Sequence, residues 1–93
     1  MKFNRTNMSF EFDYSWHQYE KESPKISGKP DDTIFNKSDG EQVLYLLNYF
    51  NFNNITEFLK AEKMLKYNLP QFIRTQHEAE KWIIHNWANS ELK

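Results

Sequence analysis

At 93 residues and a formal net charge of −1, with a pI near 6.3, the chain fits one small domain and lacks the basic excess that phosphate-backbone binding brings. The absence of cysteine excludes disulfides, thiolate zinc sites and a cysteine nucleophile. No apolar run approaches the ~20 residues of a membrane span and no apolar core follows the basic start, so neither anchor nor export signal is expected and a cytoplasmic location is. Aromatic residues make up 17% of the chain, and its eight Phe, five Tyr and three Trp supply core volume in a few large side chains.

The first 36 residues form an aromatic segment followed by a turn-rich connector. Met8, Phe10, Phe12, Tyr14 and Trp16 alternate with Ser9, Glu11, Asp13 and Ser15, a period of two that favours a strand with one aromatic face. Phe12, Trp16 and Tyr19 also sit at i, i+4 and i+7, and the stretch lacks Val, Ile and Thr, so a short amphipathic helix is the alternative. A lone strand needs a partner, for which Lys25-Ile26-Ser27, Thr33-Ile34-Phe35 or a second copy of the chain are candidates. Residues 23–32 contain two of the three prolines and one of the two glycines. Ile26, Ile34 and Phe35 are expected to pin this connector onto the remainder, making one domain of residues 1–93.

Three helices are expected over residues 38–90, each announced by a polar residue three positions before a glutamate: Ser38 and Glu41, Asn54 and Glu57, Thr75 and Glu78. Their apolar stripes are Val43, Leu46, Leu47 and Phe50; Ile55, Phe58, Leu59 and Leu65; and Ala79, Trp82, Ile83 and Trp87. The first two are separated by Asn51-Phe52-Asn53-Asn54, and Pro70 opens the apolar connection Leu69, Phe72, Ile73 before the third. The expected fold class is mainly α, a three-helix layer with the aromatic N-terminal segment, as short strand or helix, packed across it and hiding Phe50, Trp82 and Trp87.

Catalytic chemistry is not indicated. His77 and His85 lie eight residues apart, ~12 Å along a helix and too far to share a metal. His77 is expected at the surface near a cap, His85 partly buried, and His17 at a polar rim. Asp31 and Asp32 fall in a loop where turn-making is the ordinary role. Gly28 and Gly40 belong to no phosphate-binding pattern, and Lys37 beside the first helix start is offset by Asp39 and Glu41 as an anion seat. No catalytic, metal or cofactor residues are therefore assigned, and no cofactor is expected. An enzyme built on His17 or His77 with a carboxylate is the weakest reading.

Two binding readings are stronger. Lys60, Lys63 and Lys66 recur every third residue, Arg74 closes the next connection and Lys81 follows on the third helix; with Glu62 the only acid between Lys60 and Arg74, these five are the candidate phosphate contacts of a nucleic-acid-binding module. The last 40 or so residues are similar in layout to the helix, extended loop and helix of SAP- and LEM-type modules, with Leu69-Pro70 opening the loop. The loop lacks the glycine of those modules, and Trp82 and Ile83 fall out of their register. A tight helix-turn-helix does not fit the length of this connection. The favoured reading is a small non-catalytic interaction or regulatory module that binds a protein, or itself, through Tyr14, Trp16 and Tyr19, because Trp and Tyr are preferred interface anchors.

Overall fold

The structure, a computed structural model, describes residues 2–88; residues 89 and 90, assigned above to the helical part, lie outside it. Among the described residues three α-helices, α1 (Gly40–Tyr49), α2 (Ile55–Tyr67) and α3 (Gln76–Asn86), follow an irregular front half with two single 3-10 turns at Arg5–Asn7 and Glu11–Asp13. No sheet forms among these residues, and the chain is mainly helical, as its periodicity predicts. None of the helices described is long and apolar enough to cross a membrane.

Each helix turns its stripe into one core. Val43, Leu46 and Leu47 of α1 meet Phe58, Ala61, Met64 and Leu65 of α2 and Ala79 and Ile83 of α3, all buried; Met8, Phe35 and Leu69 join them from irregular segments. Ile55, expected in the second stripe, is exposed because it opens α2 ahead of the first turn that reaches the core.

The helix starts follow the capping logic with one shift. At α3 the box is complete: Glu78 N–H donates to Thr75 Oγ1 at 3.2 Å, and Thr75 N–H donates back to Glu78 Oε1 at 3.2 Å. At α2 Asn54 Oδ1 accepts from Glu57 N–H at 2.9 Å, while the Glu57 carboxylate takes the amide of Asn53 rather than that of the cap. At α1 the cap is Asp39, not Ser38: Asp39 Oδ1 accepts from Glu41 N–H at 3.0 Å and from Gln42 N–H at 3.4 Å. The buried carboxylate of Asp39 also accepts from the Tyr19 hydroxyl and from Gln42 Nε2, and these additional donors hold the helix start one residue later. Asn51, at φ 55, takes the left-handed conformation just beyond α1 and ends it, a role asparagine performs with little strain.

The expected strand over residues 8–16 does not form. Its alternation is broken at Phe12, which is 91% exposed, while Met8 is buried and Phe10, Tyr14 and Trp16 are half-buried. The segment's backbone is instead satisfied by 3-10 turns, by side chains on the helices, and by one parallel bridge from Ser15 to Asp39. Trp16 reaches the N-terminus of α1, where a Cβ on Gly40 would stand 2.5 Å from its Cε2 and Cζ2 atoms; only glycine lets the indole lie so close to the helix. The aromatic front covers α1 and α2, with Phe3 and Phe58 rings 4.4 Å apart. The far end of α3 is covered differently from expectation: Phe52 stacks on Trp87 and on Phe50, each at 5.4 Å, so the α1–α2 connection shields that indole.

Of the three expected connector anchors, Phe35 is buried in the core, Ile26 is half-buried and Ile34 is exposed. Gly28, at φ 75, makes the connector turn that glycine permits, and Tyr45 Oη donates to its carbonyl at 2.5 Å.

Candidate interaction surfaces

The aromatic trio is engaged inside the fold. Tyr14 Oη donates to Glu62 Oε2 at 2.8 Å, Trp16 Nε1 to the carbonyl of Glu11 at 2.8 Å, and the Tyr19 hydroxyl to Asp39 Oδ2. Burial and the neighbouring Glu62 carboxylate push the Tyr14 hydroxyl well above its ordinary value; the hydrogen bond to Asp39 does the same to Tyr19. The Arg5 guanidinium lies 4.1 Å from the Trp16 ring centre. All three side chains are only partly accessible, and their polar atoms are occupied within the chain.

Glu62 is the residue the sequence did not single out. It is fully buried on α2 and accepts from Ser9 N–H (2.8 Å), Phe10 N–H (3.1 Å) and Tyr14 Oη. No Lys, Arg or His lies within ion-pair distance of it among the described residues, so three neutral donors stabilise the carboxylate. The available signal was an acid interrupting the stripe between Phe58 and Leu65.

The five basic residues divide. Lys60 Nζ donates to the Trp87 carbonyl at 2.6 Å and sits 4.2 Å from that indole's centre, closing the C-terminus of α3. Lys66 lies 3.5 Å from Asp13 and 5.0 Å from the Phe10 ring centre. Lys63, Arg74 and Lys81 are exposed, with no side-chain ion pair among the described residues. The period of three also winds the lysines around α2, because each step advances 300° rather than a full turn.

The histidines stay apart. His77 is exposed, 3.7 Å from Glu80; His17 is exposed near Tyr19; and His85, expected to be partly buried, is exposed because the last turns of α3 pack through Ile83 and Trp82 instead. No group of three metal-ligating side chains occurs among the described residues.

Two surfaces remain. The first is an edge. Phe35 N–H donates to the Arg74 carbonyl at 2.8 Å and Gln76 N–H to the Thr33 carbonyl at 2.9 Å, an antiparallel bridge in which Ile34 faces Thr75. In that geometry the amide and carbonyl of Ile34 point away from Thr75, and neither is hydrogen-bonded within the described residues. Ile34 is 64% exposed and Phe72, three residues before Thr75, is 75% exposed.

The second is a groove of about 670 Å³ along the outward face of α1, lined from that helix by Glu41, Leu44, Tyr45, Asn48 and Tyr49. These positions, i, i+3, i+4, i+7 and i+8, lie opposite the core residues Val43, Leu46 and Leu47. Five successive apolar residues, Val43 to Leu47, are the sign in the sequence that α1 has two apolar faces. Ile26, Ser27 and Gly28 form one wall, and Lys2 and Asn51 complete the lining. Burial pushes the Tyr45 hydroxyl above its usual value. No protein-family model, curated protein or solved structure matches the chain.

Proposed function

We propose that the chain is a small non-catalytic interaction module that receives an extended segment of a partner protein along the edge at Ile34. One observation carries this reading: the amide and carbonyl of exposed Ile34 face outward and are unpaired among the described residues, and exposed Phe72 lies three residues before its bridge partner Thr75. Main-chain pairing supplies affinity in this mode, and apolar side chains flanking the edge supply selectivity. Exposed Asp31 and Asp32 precede the edge, which favours a partner segment carrying lysine or arginine beside its apolar residues. Tyr14, Trp16 and Tyr19 contribute indirectly in this reading, by fixing the front half against the helices.

The test compares proteins co-purified by the wild-type chain with those retained by Phe72→Ser and by Ile34→Pro, which deletes the outward amide. Phe12→Ser, altering another exposed aromatic elsewhere, serves as the control. Proteins lost with both edge variants but kept by the control, at unchanged thermal unfolding, support the edge. Retention of every partner by both edge variants eliminates it.

A further inference from the structure

The groove on α1 is independent of the Ile34 edge, and its charges are arranged along its length. Glu41 stands in the first turn of α1. Lys2 stands at the other end, because Phe3 is tied to Asn48 by two hydrogen bonds of 2.8 Å, from Phe3 N–H to Oδ1 and from Nδ2 to the Phe3 carbonyl. Seven residues of helix separate Glu41 from Asn48, a rise of ~10 Å. Between the charged ends lie apolar Leu44 and Ile26 and the phenol rings of Tyr45 and Tyr49. The Ile26–Gly28 wall is held by the Tyr45 hydroxyl on the Gly28 carbonyl, so the groove does not have to be assembled by its occupant. Neither the Glu41 carboxylate nor the Lys2 ammonium makes a hydrogen bond or ion pair among the described residues.

We infer that this groove binds a short zwitterionic peptide of about three residues, its free ammonium on Glu41, its carboxylate on Lys2, and an apolar central side chain over Leu44. An extended peptide advances about 3.3–3.6 Å per residue, so three residues run about the length of helix between Glu41 and Asn48. A single amino acid is too short to touch both ends, a dicarboxylate would set like charge against Glu41, and a diamine would set like charge against Lys2. The volume falls within the ~300–1,000 Å³ of ordinary ligand sites. The charges also set direction, since a reversed peptide would place ammonium against ammonium and carboxylate against carboxylate.

The probe is Ala-Leu-Ala with free termini, titrated into the full chain and followed by amide chemical shifts, with its N-acetylated and C-amidated forms as separate arms. The free peptide is expected to shift Leu44, Tyr45 and Tyr49. Acetylation and Glu41→Gln should each weaken binding at least fivefold, as should amidation and Lys2→Gln. Acetylated peptide should bind Glu41→Gln as well as it binds wild type, because the pairing is already lost. Both variants should unfold at the wild-type temperature. No shift at millimolar peptide overturns the site; equal affinity of all three peptide forms overturns the charge assignment and with it the inference. Either result leaves the Ile34 edge standing.

Discussion

The helical half and the front half are held by different forces. Residues 40–86 satisfy most of their backbone internally and cohere by burying Val43, Leu46, Leu47, Phe58, Met64, Leu65 and Ile83. Residues 2–36 contribute few fully buried apolar side chains, and their amides and carbonyls are met by polar side chains projecting from the helices. Asn48 takes both backbone groups of Phe3, Glu62 takes the amides of Ser9 and Phe10, and Gln42 takes the amide of Asn36. Buried Gln76 donates to the carbonyls of Pro24 and Lys25 and accepts from Asp31 N–H. A segment without sheet or helix can thus be ordered by acceptors and donors placed at intervals on a neighbouring scaffold, where each missing partner would cost more than the bond itself contributes.

This contrast is breakable. Phe58→Ala, which empties the centre of the helical core, should cost about 3–5 kcal/mol and lower hydrogen-exchange protection throughout the chain. Glu62→Ala should cost about 3 kcal/mol in urea unfolding, because it strands two amides and a hydroxyl, yet faster exchange and proteolysis should concentrate in residues 9–16. Uniform loss in both variants would show that the halves are not held separately. Gly40→Ala should cost roughly 1–3 kcal/mol through displacement of Trp16. Its effect should be largely absent in a Trp16→Ala background, a coupling that a double-mutant cycle measures. Thr75→Ala removes the cap of α3 at about 1 kcal/mol.

The smallest effect is a pH dependence. The backbone amides of Arg74 and Thr75 hold the Glu78 carboxyl below its ordinary value, and hydrogen bonds from Thr33, side chain first and then backbone, do the same for Asp31. The unfolded chain therefore binds these protons more readily than the folded one. The resulting stability is complete above the ordinary carboxylate value and disappears as pH falls through the lowered folded values. Wild type and Glu78→Gln should accordingly differ at neutral pH and converge in acid, as read by thermal unfolding across a pH series.

What could be read in advance follows the range of the interaction. Thr75 and Glu78 form their box because its partners lie within four residues, and the apolar stripes of the three helices are local patterns too. Ser38 was displaced by Asp39 because the deciding partner, Tyr19, lies 20 residues away. The period of two in residues 8–16 was misleading for the same reason: Glu62, which meets Ser9 and Phe10, is more than 50 residues distant and leaves no mark on that alternation. The surfaces were less legible still. Ile34 looks like an anchor in sequence, and only its bridge to Thr75 turns it outward. The groove joins Lys2, Gly28 and Glu41, which no local pattern connects.

The grip of Gln76 on Pro24, Lys25 and Asp31 has a consequence for how the molecule comes into being. Its hydrogen bonds span 45 to 52 residues. A nascent chain emerging from the ribosome presents residues 24–31 long before the side chain that will clasp them has been synthesised. Those residues must wait, unfastened, until residue 76 has been made and α3 can form.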